Sequence, residues 1–294
     1  MDASQLAHLI KLLDDDSEVV RGGVIKALQA FGPGLAEALE SYAPQIGPEG
    51  WKVLEPVFAH HKREWLRKVW PDWRLPGEDK ARLEMALSLL SQFQAKGFEA
   101  VRVPALLESL AQDFRKAHPG DDVLMLAEFL FKEKRLAGAA KNDYYNPFNS
   151  NLAFVIEQKR GIPISLACVY ILTAARLGFA VEGCNLPGHF LARAENGGRY
   201  FYVDCFSGGR LLTEKAVLDL YEGSSADLKS ILQMPADAKT IVRRVLSNLS
   251  HAYDKLEDAE NSRFMTELLR QQHDLAGEVP DFFPDEPGPS DPSS

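Results

Sequence analysis

The chain has few cysteines, no long apolar run and no excess of basic residues, and each shortage excludes a class of protein. Its 294 residues include three cysteines, Cys168, Cys184 and Cys205, without a C-x-x-C pair. We therefore expect reduced thiols rather than a disulfide framework or a zinc site. The longest uncharged apolar run, residues 164–175, has 12 residues. Because a bilayer-spanning helix needs ~20, we expect no membrane segment.

Negative charge dominates and is concentrated at one end of the chain. The formal net charge is −9, and the last 17 residues carry five acidic side chains without Lys or Arg. Phosphate-backbone binding requires a basic stripe, so we do not expect a nucleic-acid partner. The N-terminus lacks the basic start, apolar run and cleavage site of a secretory signal, which predicts a cytoplasmic protein. The residue pattern indicates no cofactor and no metal.

Apolar periodicity predicts a mostly helical chain with one mixed region. Residues 6–31 carry two apolar stripes at helical spacing, with Ser17 as a cap of the second helix, and this hairpin resembles a single HEAT repeat. One such unit cannot bury its own faces, so we expect it to pack on the rest of the chain or on a protein partner. The pattern predicts five parts: a HEAT-like hairpin (1–47), a helical region (48–141), an α+β core (142–222), a C-terminal helical hairpin (223–277) and a disordered acidic tail (278–294).

Three segments with β-branched and aromatic residues follow an unusually apolar helix and predict an antiparallel sheet. They lie at 180–185, 189–194 and 200–206. If residues 195–198 form a four-residue loop, His189 lies directly opposite Asp204, with Cβ atoms ~5 Å apart. A carboxylate that accepts a bond from an imidazole is the orienting pair of a catalytic triad. The same spacing also suits a purely structural hydrogen bond.

Three motifs give this region a family resemblance. The run GIPISL at 161–166, the run LPGHF at 186–190 and D-x-F-x-G-G at 204–209 occur in this order. Together they resemble the transglutaminase-like superfamily, specifically its bacterial SirB-type branch, closely over residues 142–212 and loosely over 80–220. The resemblance implies a papain-like α+β core, in which a central helix packs on a small antiparallel sheet between helical flanks. It also implies that His189 and Asp204 match the family's catalytic His and Asp.

The position of the family's nucleophile departs from the pattern. In catalytic members the resemblance implies a Cys 15 residues before the Gly that closes the central helix, and here that position is Pro163. Proline suits the first turn of a helix but has no nucleophilic atom. Measured from Pro163, Ser165 lies ~3 Å further along the helix axis and ~200° around it. Cys168 lies ~7.5 Å further along the axis and ~140° around it. Both remain alternative nucleophiles, although the geometry turns Cys168 away.

Two hypotheses of different classes follow. The first is a transglutaminase-like protein without the usual nucleophile, which acts as a protein-binding or regulatory module. The second is a hydrolase or acyltransferase that uses Ser165 or Cys168, with His189 as base and Asp204 as orienter. Because a proline removes the group that the chemistry most requires, the sequence favours the binding module.

Overall fold

The structure is a computed structural model that describes residues 3–31, 34–95, 102–120, 122–220 and 227–271. The predicted acidic tail lies outside these residues. The chain divides into two units, one within residues 1–72 and 95–100 and the other within residues 73–94 and 101–294. None of the described helices combines the length and apolar content needed to cross a membrane. The predicted five-part division stays a prediction.

The first unit is helical, and a side-chain cap marks the start of its second helix. The Ser17 side chain accepts a hydrogen bond from the Val20 backbone N–H, so Ser17 caps the second helix as predicted. Leucines from successive helices form a buried core, including Leu6, Leu28 and Leu54. The described helices are α1 (Ala3–Lys11), α2 (Glu18–Gln29), α3 (Leu35–Glu40) and α4 (Pro48–Val69).

The second unit combines helices with two small sheets, which confirms the predicted α+β, mostly helical fold class. Its described helices are α5 (Asp79–Gln94), α6 (Val103–Ala117), α7 (Val123–Glu128), α8 (Leu152–Gln158), α9 (Pro163–Leu177), α10 (Glu214–Leu220), α11 (Asp227–Gln233), α12 (Ala238–Lys255) and α13 (Ala259–Arg270). A π-helical turn at Phe129–Glu133 follows α7. The strands are β1 (Ala137–Gly138), β2 (Arg160–Gly161), β3 (Val181–Leu186), β4 (His189–Asn196), β5 (Arg199–Asp204) and β6 (Arg210–Leu212).

Helix α9 is the central helix of this unit. It begins at Pro163, whose ring suits the first helical position, and ends at Gly178, which adopts a left-handed conformation with φ +78°. Every residue from Pro163 to Ala174 is buried, as expected for a helix that is apolar on all sides. Packing, rather than an amphipathic face, therefore holds α9 in place.

The main sheet is antiparallel with strand order β3-β4-β5-β6, and a separate parallel pair joins β1 to β2. Helix α9 packs against β3 and β4. One face of the sheet contributes Leu186, Leu191 and Tyr202 to an apolar cluster with Val217 of α10 and Leu232 of α11. Helices therefore pack against both faces of the sheet, α9 on one face and α10 and α11 on the other.

The predicted register between β4 and β5 is wrong by two residues. The turn consists of Gly197 and Gly198 alone, with φ +59° and +74°, and the strands pair Asn196 with Arg199. Two consecutive residues with positive φ form the tight turn whose twist matches that of the flanking strands. His189 and Asp204 are consequently diagonal neighbours rather than direct partners.

Candidate functional site

The fold brings the two strand residues of the predicted site to one end of the sheet. Strand β3 follows α9 after a short connection and packs along it, so β3 returns toward the start of α9. A tight turn at Pro187 and Gly188, with φ +69° at the glycine, then starts β4 at His189. Strand β5 runs antiparallel to β4 and ends at Asp204. Both side chains therefore lie at the sheet end nearest the first turn of α9.

His189 and Asp204 form a close ion-pair contact in this geometry. The Nε2 atom of His189 lies 3.2 Å from Oδ1 of Asp204, and the two side chains are 16% and 14% exposed. Diagonal neighbours on an antiparallel pair are within reach of long side chains, which explains the contact despite the shifted register. Because Nε2 contacts Asp204, a nucleophile activated by this imidazole would have to approach the other ring nitrogen, Nδ1.

The environment of Asp204 favours its ionised form. Burial raises the pKa of the Asp204 carboxyl, whereas hydrogen bonds from His189 and Ser207 lower it. The lowering is the larger effect, so the pKa lies below its ordinary value. The Ser207 backbone N–H donates to Oδ1 at 3.1 Å. An ionised, partly buried carboxylate next to an imidazole can orient the ring and stabilise its charged form.

The loop after Asp204 is held by close contacts that only glycine permits. The Gly209 backbone N–H donates to the Asp204 carbonyl at 2.9 Å. A Cβ at Gly209 would lie 2.6 Å from the Phe131 ring, and one at Gly138 would lie 2.6 Å from the Phe206 ring. The motif D-x-F-x-G-G therefore packs against the π-helical turn and β1. The sequence motif included Gly209, but sequence reasoning missed Gly138 and the aromatic partners of both glycines.

Helix α9 begins with a proline. Pro163 is buried and occupies the first helical position, after Ile162 as the residue that precedes the helix. Among the residues that the structure describes, no side chain caps this end of α9. The nucleophile-equivalent position inferred from the family pattern therefore holds a side chain without a donor, an acceptor or a titratable proton.

Ser165 directs its hydroxyl to the backbone instead. Its Oγ donates to the Asn149 carbonyl at 2.6 Å and lies 2.9 Å from the Ile162 carbonyl, and the residue is 1% exposed. Within the described residues, these are the hydrogen bonds of this hydroxyl, and none of them involves His189. The hydroxyl proton holds the loop before α8 against the first turn of α9.

The three thiols are buried. Cys168 and Cys205 are each 0% exposed, and Cys184 is 1% exposed. Burial raises the pKa of Cys184 to about 12, and burial together with the nearby Asp204 raises that of Cys205 well above its ordinary value. Because the thiolate is the reactive form, these two environments oppose nucleophilic chemistry. Cys168 lies in the interior of α9, as a small core residue would.

Sequence reasoning missed a buried guanidinium that supports the hairpin of His189. Arg244 of α12 is 2% exposed and donates to Asn185 Oδ1 at 2.6 Å and to the Leu186 carbonyl at 2.5 Å. Its guanidinium carbon lies 5.9 Å from the centroid of the Phe190 ring. The signal was an arginine at an apolar position of an amphipathic helix, which implies a buried polar partner.

Metal-ligating side chains are not gathered at this site. In the part of the chain that the structure describes, no three His, Cys, Asp or Glu residues are grouped in a way that would hold a metal ion. The arrangement offers an imidazole in contact with a carboxylate whose ionised form is favoured. Such a pair can transfer a proton or bind a polar group, and acyl transfer would need a nucleophile from elsewhere.

Comparisons with known proteins agree with this architecture. The family model of the transglutaminase-like superfamily matches residues 102–247. A UPF0162 protein of Xylella fastidiosa is 36% identical over 131 residues, which are 42% of this chain and 46% of that protein. F-box only protein 21 of Mus musculus is 32% identical over 141 residues, which are 45% of this chain and 21% of that protein.

The chain thus matches less than half the length of these relatives, and no solved structure shows a significant match. The matched region nevertheless contains α6 to α9, the four-stranded sheet and both members of the imidazole–carboxylate pair. The family match, the relatives and the observed fold agree on one conclusion: the chain carries a domain of the transglutaminase-like superfamily.

Proposed function

We propose that this transglutaminase-like domain is a protein-binding or regulatory module and not an acyltransferase. The observation that carries the proposal is the first turn of α9, where Pro163 stands at the nucleophile-equivalent position and the Ser165 hydroxyl is engaged by a carbonyl at 2.6 Å. An acyl-transfer mechanism needs a nucleophile within hydrogen-bond reach of its base. In this proposal the contact between His189 and Asp204 has a structural role at the end of the sheet.

The relatives support a modular role. The matched region makes up only 21% of F-box only protein 21, so this domain accompanies other segments in that protein. In this chain the domain is accompanied by a separate helical unit with its own apolar core. A cytoplasmic location, a protein partner, membership of the SirB-type branch and a HEAT-like N-terminal hairpin belong to the same proposal.

A second candidate function is a hydrolase or acyltransferase that uses Ser165 or Cys168. The observation in its favour is the 3.2 Å contact between His189 and Asp204, which is the base and orienter of a triad. For this mechanism the Ser165 hydroxyl would exchange its carbonyl acceptors for the imidazole. Cys168, which is fully buried, would have to become accessible to a substrate.

Covalent labelling of the native full-length chain separates the two functions. Iodoacetamide and a fluorophosphonate are added to the wild type and to His189→Ala, and adducts are located by mass spectrometry. We expect no adduct that depends on His189, whereas the denatured wild type should take up iodoacetamide at its cysteines. An adduct at Ser165 or Cys168 that is lost in His189→Ala would overturn the proposal.

A further inference from the structure

Three segments of the second unit bring basic side chains to one surface. Residues 130–138, 157–161 and 206–210 carry six basic and two acidic side chains, although the chain as a whole has a formal net charge of −9. Five of the basic side chains are exposed and are called the β1 patch: Lys132, Arg135, Lys159, Arg160 and Arg210. Because the patch is assembled from separate segments, it is not a continuous basic run in the sequence.

Backbone hydrogen bonds hold the three segments side by side. The Ala137 N–H donates to the Lys159 carbonyl at 3.1 Å, and the Gly138 N–H donates to the Phe206 carbonyl at 3.2 Å. Hydrogen-bonded extended backbones lie ~4.8 Å apart, so the three together are about 10 Å wide. Helix α9 packs against β1 and β2 from one side. The exposed side chains of these segments therefore point away from α9, into solvent.

The β1 patch borders the loop that follows Asp204. A Cβ added at Gly208 would lie 3.7 Å from Nζ of Lys132. Arg210 begins β6 at the end of the same loop. A partner bound to the patch would therefore lie beside the D-x-F-x-G-G motif.

The side chains of the β1 patch have no acidic partner within the described residues. None of the five forms an ion pair with a carboxylate there, whereas the neighbouring Lys134 pairs with Asp113 at 2.6 Å. The nearby Glu133 is in contact with His118 at 2.7 Å. Like charges held close together repel one another, and an anionic group that covers them relieves the repulsion.

Two residues of the patch have a backbone conformation that favours glycine. Arg135 has φ +62° and Lys159 has φ +60°, in the left-handed region that is unfavourable for residues with a Cβ. Lys159 ends α8, where glycine or asparagine is common. Both positions thus carry a long cationic side chain at a cost in stability. Strain of this kind is concentrated at functional surfaces.

We propose that the β1 patch binds a short acidic segment of a protein partner. The proposal rests on the proposed function, for which it supplies the charge of the partner. Carboxylates of such a segment contact the lysines and arginines, and a guanidinium can bind one carboxylate through two parallel hydrogen bonds. A long polyanion such as a nucleic acid fits less well, because the negative charge of the rest of the protein repels it.

The test is fluorescence anisotropy with three labelled probes: capped hexaglutamate, capped hexaglutamine and a 12-nucleotide oligothymidylate. Each probe is titrated with the full chain. Hexaglutamate should bind saturably and more tightly than the other two, and its affinity should fall as salt is added, because salt screens exposed charges. Arg135→Gly and Lys159→Gly should each lower this affinity about two- to fivefold, and the double variant should lower it at least about fourfold.

The glycine substitutions separate charge from folding. Because glycine adopts positive φ without strain, Arg135→Gly and Lys159→Gly should unfold at temperatures no lower than the wild type. Glu257 has φ +59° in the connection between α12 and α13, so Glu257→Gly makes the same backbone change outside the patch. This matched control should bind hexaglutamate within about twofold of the wild type.

Four results would overturn the proposal: no saturable binding of hexaglutamate, equal affinity for the two peptides, oligothymidylate binding as tight as that of hexaglutamate, or unchanged affinity of the double variant. The outcome is independent of the labelling experiment. A His189-dependent adduct would refute the module hypothesis whatever the peptides show. Equal binding of the two peptides, with no adduct, would refute only the acidic partner.

Discussion

Replacement of Gly209 by alanine tests how the loop that bears Asp204 is held. Gly209 has φ +75°, a conformation that costs an L-residue ~1–2 kcal/mol. The added Cβ would also lie 2.6 Å from Phe131 Cδ2 and 2.8 Å from Phe131 Cβ, and overpacking of this kind costs about 1–3 kcal/mol. We therefore expect Gly209→Ala to lower the free energy of unfolding by about 2–5 kcal/mol.

The chain offers two control glycines that separate these costs. At Gly197 φ is +59° and no heavy atom lies within 4 Å of the added Cβ, so Gly197→Ala measures the backbone cost alone. Gly138 lies in strand β1 and its Cβ would meet the Phe206 ring at 2.6 Å, so Gly138→Ala measures crowding alone. Each control should lose less stability than Gly209→Ala.

Urea and thermal unfolding of the three variants give the comparison. With about 2–4 °C per kcal/mol for a folded unit of this size, Gly209→Ala should melt roughly 4–20 °C below the wild type. If Gly209→Ala is no less stable than Gly197→Ala, the contact with Phe131 does not constrain the loop. The reasoning about the D-x-F-x-G-G motif would then be refuted.

Three further predictions concern the site and its support. Because the folded pKa of Asp204 is below its ordinary value of 3.8, its ionisation contributes stability above that value, which is lost as pH falls through the folded pKa. Asp204→Asn should lower the free energy of unfolding by about 1–3 kcal/mol at pH 7. The difference in stability between variant and wild type should shrink below pH 4 in unfolding curves. A difference that persists there would contradict the view that the ionised carboxylate stabilises the fold. Pro163→Cys places a thiol at a buried helix start, and because a helix start lowers a thiol pKa, iodoacetamide should modify it faster than the buried Cys168 of the same helix. Labelling no faster than that of Cys168 would contradict the prediction, and labelling that slows when His189→Ala is added would show that the imidazole reaches this position. Arg244→Met should destabilise the domain by at least about 2 kcal/mol, because a buried carbonyl and a partly buried amide oxygen lose their donor, and unchanged urea unfolding would show that Arg244 does not hold the hairpin.

Local sequence signals were sufficient for the elements around the site. Pro163 and Gly178 bound α9 because a proline suits a helix start and a glycine suits a left-handed end. The three predicted strands match β3, β4 and β5 to within about two residues, since β-branched and aromatic content marks extended segments. These signals act over a few residues and need no knowledge of the fold.

The register between β4 and β5 was not predicted correctly, even though it depends on a turn between residues close in sequence. The Asn196-Gly197-Gly198 signal indicated a hairpin but not whether the loop has two residues or four. Both glycines adopt positive φ, which shortens the loop and shifts every pair between β4 and β5. His189 and Asp204 are therefore not directly opposite each other, and their side chains meet diagonally across the two strands.

By itself the sequence determined the fold class, the bounds of α9 and the strands that carry His189 and Asp204. Only the tertiary structure decided which groups these side chains contact. Ser165 bonds to a carbonyl 16 residues away, and Arg244 supports a turn 58 residues away. Periodicity and capping arise from contacts within one or two turns of chain, whereas packing between distant segments selects which hydroxyl, guanidinium or glycine meets which partner.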